Sequence, residues 1–144
     1  TTDIITGFCG ETHDDFQLTV DLMQEIRFDS AFMFMYSERS GTQAAKSMAD
    51  DVPESMKKER LQRIIKVQEE ISRQINTSMV GRQVEVLVQG QNKRRADDGS
   101  AISYGRSLQG KVTIFPEPVP ANRIVSVDID RTTSHTLFGK VTAP

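Results

Sequence analysis

Arg106, Lys111 and Phe115 fall on one short run, Gly105-Arg106-Ser107-Leu108-Gln109-Gly110-Lys111-Val112-Thr113-Ile114-Phe115-Pro116. Two cations that can neutralise phosphates, with an aromatic that can stack on a base, make the equipment for gripping an unpaired nucleotide strand. The competing reading is that Phe115 is core and the cations only keep an edge strand soluble. Lys93-Arg94-Arg95 follows Asn92 and precedes Asp97-Asp98-Gly99, in what reads as the loop between the first two strands of the same region. Three adjacent cations attract phosphate, although such a run also serves as a solvated loop. Arg82, Arg123, Arg131 and Lys140 are weaker versions of the same case.

A second kind of chemistry is suggested near the start of the chain. The loop Gly7-Phe8-Cys9-Gly10-Glu11 follows a short apolar strand, and Ser37, Arg39 and Thr42 follow another. Loops after the strands of an α/β barrel are where such folds place ligands, and glycines there let backbone approach a cofactor closely. Gly7, Gly10, Glu11, Ser37 and Arg39 are therefore candidate cofactor contacts, Arg39 because its planar fork suits a carboxylate or phosphate. A tight turn, helix capping and a structural salt bridge would explain the same residues. Cys9 is the sole cysteine, so this chain alone makes no disulfide and no all-cysteine metal cage, and a lone thiol is more often a small apolar filler. No residue is assigned a catalytic or metal-ligating role.

These residues need elements to hold them. Asp3-Ile4-Ile5-Thr6 reads as a buried strand. Thr12 with Asp15 reads as a capping box opening a helix from about His13 to Arg27, whose apolar positions are Phe16, Val20, Met23 and Ile26. Asp29 to Tyr36, with its uncharged Ala-Phe-Met-Phe-Met-Tyr, suits a strand buried on both faces, and residues 37–50 a polar loop. A strand opening the chain lacks a neighbour upstream, which gives the expectation that the chain is a C-terminal piece of a larger α/β unit. Pro53 begins one long helix to about Ser78 with the stripe Leu61, Ile64, Gln68, Ile71 and Ile75. From Gly81 the period becomes two: Val84, Val86 and Val88 alternate, as do Val125, Val127 and Ile129, with strands also expected at 102–107, 111–115 and 135–142. Five short strands with Gly, Asn, Asp and Pro in the turns predict a small OB-like β-barrel.

The fold class expected is therefore α+β, divided into residues 1–50, a connecting helix over 51–78 and a barrel over 79–144. The 144 residues carry a net charge of −2, but residues 1–78 hold nine Lys/Arg against fourteen Asp/Glu while residues 79–144 hold nine against six. The cationic half is the one in which a polyanion is expected to bind. No apolar run reaches the roughly 20 residues of a membrane helix and no leader opens the chain, so a cytoplasmic, membrane-free monomer is expected.

Asp3-Ile4-Ile5-Thr6-Gly7-Phe8-Cys9-Gly10-Glu11-Thr12, Tyr36-Ser37-Glu38-Arg39-Ser40-Gly41-Thr42 and Val52-Pro53-Glu54 together resemble the tRNA methylthiotransferases of the MiaB family, at the last part of their radical S-adenosylmethionine barrel and the helix after it. Val84 to Val88, Gly105-Arg106-Ser107, Lys111-Val112, Phe115-Pro116 and Thr136-Leu137-Phe138-Gly139 resemble that family's TRAM domain. Cys9 stands where the family usually has proline, and Gly110 where asparagine is common. The resemblance implies methylthiolation of a prenylated adenosine beside the anticodon, with S-adenosylmethionine and two 4Fe-4S clusters as cofactors and the tRNA anticodon stem-loop as partner. The cluster cysteines of that family are not among these residues, so this chain alone is expected to be inactive. The alternatives are a stand-alone RNA-binding module and the branch of the family that modifies a ribosomal protein.

Overall fold

A computed structural model describes residues 1–95 and 101–142, the side chains of 92–95 excepted. Its contacts divide the chain into two units, Thr1–Ser72 and Arg73–Pro144, so that the boundary lies inside the long helix.

In the first unit, β1 (Thr2–Thr6) runs through α1 (His13–Ile26) to β2 (Ala31–Met35), which pairs parallel to β1. Thr12 opens α1 as expected: its hydroxyl oxygen accepts from the Asp15 backbone N–H at 3.1 Å, and the Asp15 carboxylate accepts from the Thr12 N–H at 2.9 Å. Phe16, Val20 and Met23 of α1 are buried with Ile64 against Ile4 of β1, Met33 of β2 and Leu61 and Val67 of the long helix. Ile26 is exposed, because the left-handed Arg27 has already turned the chain and closes the helix with an N–H to the Met23 carbonyl. Only one face of the two-stranded sheet is covered. Ile5, Phe32 (63% exposed) and Phe34 (54% exposed) occupy the other, which corrects the expectation of a strand buried on both sides. Residues expected to form only a polar loop contain a short helix, α2 (Gln43–Ser47), whose N-cap is Thr42.

The long helix α3 (Glu54–Thr77) starts just after Pro53. The glutamine that interrupts its apolar stripe is explained by the backbone it meets. Gln68 Nε2 donates to the Phe28 carbonyl at 2.7 Å, and Ser72 Oγ donates to the Asp29 carbonyl at 2.9 Å. Two buried polar side chains thus satisfy loop carbonyls ahead of β2 that would otherwise be desolvated without partners.

In the second unit, β3 (Gln83–Arg95), β4 (Ala101–Ser107), β5 (Val112–Phe115), β6 (Ile124–Thr132) and β7 (Thr136–Val141) close into a barrel in the order β3-β4-β5-β7-β6. All neighbours are antiparallel except β5 and β7. Val86, Val88, Phe115, Val127, Ile129 and Leu137 fill the interior. The alternation expected for Val86–Val88 and Val127–Ile129 is therefore the inward set. Lys93-Arg94-Arg95, expected in a loop, continue β3 instead: after bulges beyond Val88 and Gln91, Arg95 still pairs with Ala101. Their side chains lie outside the described residues.

Gly105 and Gly139 explain how so small a barrel closes. Both take inward positions, where a β-carbon would overlap the Leu87 carbonyl oxygen at the first and the Asp128 carbonyl oxygen at the second. Each also lies next to a bulge in its antiparallel neighbour, β3 for Gly105 and β6 for Gly139. A bulge bends a strand, and a glycine lets the adjacent strand approach the bend.

Candidate nucleic-acid interface

Alternation along β4, β5 and β7 separates the interior from a surface. Ser103, Gly105, Ser107, Thr113, Phe115, Leu137 and Gly139 are buried, so Tyr104, Arg106, Val112, Ile114, Thr136 and Phe138 take the outward positions. Cross-strand register arranges these in two adjacent rows, Leu87–Arg106–Val112–Thr136 and Tyr104–Ile114–Phe138–Arg131. Within the second row the Arg131 guanidinium lies over the Phe138 ring, 3.8 Å from its centre. Arg106 is exposed, and its Nη1 donates to the Gly110 carbonyl at 2.7 Å, tying down the turn between β4 and β5. That bond takes one of its five N–H donors. Lys111, half-buried just before β5, shares that turn, and Leu108 is 81% exposed.

The strand-end loops of the first unit do not gather around one site. Ser37, Arg39 and Thr42 line a cavity of about 540 Å³ together with Asp3, Ile5, Phe8, Phe34 and Tyr36. Gly10 and Glu11 line another, of about 460 Å³, beside the start of α1. Gly7 lines neither: a β-carbon there would overlap the Lys57 side chain, and its φ of 74° also favours glycine. Glu11 is engaged internally. Its carboxylate accepts the Gly7 N–H and pairs with Arg60 Nη1 at 3.3 Å, while Arg60 also donates to the Glu11 carbonyl at 3.0 Å. Glu11 thus closes its own loop.

Two buried cations hold these loops from α3. Lys57, 5% exposed, pairs with Asp50 and lies 5.1 Å from the centre of the Tyr36 ring. Arg60 lies 5.4 Å from the centre of the Phe16 ring. The sequence carried a signal for both, since positions 57, 60 and 64 extend the buried stripe of α3 toward its start. Tyr36 packs edge-on against Phe8, and a hydrogen bond with the buried Cys9 is the main cause raising its hydroxyl above the ordinary tyrosine value, with desolvation second. Cys9 is therefore a packed residue that contacts Tyr36.

Residues 77–142 match the TRAM domain. Over 140 residues the chain is 44% identical to the tRNA-2-methylthio-N(6)-dimethylallyladenosine synthase of Porphyromonas gingivalis, covering 96% of this chain and 29% of that protein. It is 46% identical over 140 residues to the synthase of the same description from Chlorobium phaeobacteroides, covering 96% and 31%, and 44% identical over 142 residues to that of Acetivibrio thermocellus, covering 98% and 28%. The likeness to tRNA methylthiotransferases carried by the motifs is borne out. The chain spans under a third of the length of these relatives.

Within the barrel one expected contact is overturned. Phe115 is 1% exposed and sits in the core, so it does not offer its ring to a base. The outward aromatics of the same surface are Tyr104 and Phe138, neither singled out by the sequence. Period-two alternation through Gly105 and Gly139 was the signal for them, since two inward glycines fix the phase of both strands. The glycine at position 110 fits the TRAM barrel in place of asparagine because its φ is 78°, a left-handed turn position that both residue types adopt.

Proposed function

We propose that this chain is the RNA-gripping portion of a tRNA methylthiotransferase, an enzyme that methylthiolates a prenylated adenosine beside the anticodon. In this reading residues 79–144 hold the anticodon stem-loop, residues 51–78 connect, and residues 1–50 complete a radical S-adenosylmethionine barrel. The observation that carries it is the exposed Arg106 on the outward surface of the barrel, in the half of the chain with the cation excess, together with the likeness along nearly the whole chain to synthases of this class.

Support for a cofactor contact is strongest at the cavity after β2. Its lining joins the apolar Ile5 and Phe34 with Asp3, Ser37 and Arg39, a combination that suits a nucleoside-bearing sulfonium such as S-adenosylmethionine, which supplies the methyl group when bound. Arg39 would face the carboxylate and Asp3 the cationic part. The 4Fe-4S clusters do not fit this chain, because one thiol cannot supply the cysteine cage such a cluster takes. The chain by itself is therefore proposed to bind and not to transfer, as a cytoplasmic monomer. No helix among its described residues is long and apolar enough to cross a membrane.

Binding of a tRNA anticodon stem-loop, followed by fluorescence anisotropy across a salt series, tests the reading. Arg106→Ala combined with Lys111→Ala should weaken binding and flatten its salt dependence. Unchanged affinity and slope would remove the barrel from the interface. The side chains of Lys93, Arg94 and Arg95 belong to the same proposal and are tested by the same titration.

A further inference from the structure

We propose that the outward row Tyr104–Ile114–Phe138–Arg131 is a base-stacking platform, holding two unpaired nucleotides of the bound RNA by their flat faces. The proposal rests on the reading that this barrel grips RNA and adds where and how the bases are held. Register puts Tyr104, Ile114 and Phe138 side by side on β4, β5 and β7, with Arg131 of β6 completing the row. Neighbouring strands lie about 4.8 Å apart, so Tyr104 and Phe138 stand roughly 10 Å apart across an apolar isoleucine. That separation leaves room for two bases, one on the Tyr104 ring and one on the Arg131 guanidinium that overlies Phe138.

The two ends of the row are built differently. Arg131 is exposed and its guanidinium lies over the Phe138 ring, 3.8 Å from its centre, so the aromatic anchors it before any ligand arrives. Arginine planes stack bases as aromatics do, and a plane already held in place loses less rotamer freedom on binding. At the other end the Tyr104 ring leans over Gly90 of β3, with its Cε1 and hydroxyl oxygen 3.8 Å from where a β-carbon would stand. No side chain rises from β3 at that position, so the tyrosine has a low border.

Arg106, in the adjacent row, stands one outward position along β4 from Tyr104. A nucleotide whose base lies on Tyr104 would carry its phosphate toward Arg106. Stacking reads a base by its π face and not by its edge, so the platform should favour unpaired over paired RNA with little sequence preference.

The test uses the 144-residue chain with two fluorescent RNA probes, a single-stranded oligonucleotide containing 2-aminopurine and a duplex of the same length. Three variants are compared with the parent: Tyr104→Leu, Phe138→Leu and Arg131→Lys, of which the last keeps the charge and loses the plane. For the single strand, each variant should weaken binding about 5- to 150-fold, the range for one lost stacked base, and diminish 2-aminopurine quenching. The salt slope should stay at the parental value, since no phosphate contact is removed, and duplex binding should change little. Circular dichroism matching the parent's accompanies each variant, and Arg131→Lys, on an exposed residue, serves if a leucine variant unfolds. Salt-dependent parental binding with Tyr104→Leu and Arg131→Lys both indistinguishable from it would overturn the platform and leave the RNA-gripping reading standing. If the parent bound neither probe, both would be overturned.

Discussion

At the scale of single residues, the positions that look most like ligand contacts are partly architectural. Gly105 belongs to the Gly-Arg-Ser stretch, yet its lack of a side chain is required by the Leu87 carbonyl and the Val86 side chain opposite. Gly105→Ala should therefore destabilise the barrel by about 1–3 kcal/mol, the cost of forcing atoms into a packed interior. Gly110→Asn should cost under about 1 kcal/mol, since asparagine also enters the left-handed region. Urea denaturation of the two variants compares them directly, and equal losses would show that the two glycines are not doing different jobs. Glu11 offers a parallel case. Replacing it by alanine strands the buried Arg60 without its carboxylate, and breaking such a pair costs about 3–5 kcal/mol. A thermal melt in which Glu11→Ala matched the parent would show that the pair does not hold the loop. Sequence alone separated neither glutamate nor glycine from a ligand loop, because the partner of each, Arg60 or Leu87, is remote along the chain.

Among the elements, those governed by local rules were legible and those governed by neighbours were not. The Thr12–Asp15 box and the helix it starts follow from residues three apart, and the structure has them as read. Asp15 is held below the ordinary aspartate range by hydrogen bonds from the Thr12 side chain and backbone. Its folded pKa being lowered, the stabilisation is present above the ordinary value near 4 and disappears as the pH falls through the folded one. The stability gap between the parent and Asp15→Asn should accordingly be widest at neutral pH and close on acidification below about 4, read from denaturation midpoints at several pH values. A gap independent of pH would mean that the carboxylate charge is irrelevant to the cap. By contrast, β5 offered two phases of alternation with similar apolar content, Thr113 and Phe115 or Val112 and Ile114. The barrel interior chose the first, and the aromatic that looked available went inside. The exposed face of β2 escaped notice for the same reason: nothing in Ala-Phe-Met-Phe-Met says which side α1 and α3 will cover.

For the molecule as a whole, the net charge of −2 conceals the property that matters to an RNA partner, which is the excess of cations after residue 78. Counterion release depends on the phosphates neutralised locally and not on total charge. Two lost contacts to unpaired RNA should reduce the slope of log affinity against log salt by about 1.4, at about 0.7 each, for the variant lacking Arg106 and Lys111. That excess and the five-strand count were legible from composition and periodicity, whereas the course of β3 past Gly90 was not, because its bulges break the alternation that announces a strand. The two inward glycines, Gly105 beside a bulge of β3 and Gly139 beside that of β6, have a consequence for how such a barrel can vary. A closed sheet has a circumference fixed by strand number and stagger, and at Gly105 and Gly139 the neighbouring backbone leaves no room for a β-carbon. Outward residues such as Tyr104, Ile114 and Phe138 can be exchanged without altering the girth. The bore of the barrel is thus insulated from its outer surface, and binding preference can drift from one protein to the next while the scaffold stays the same size.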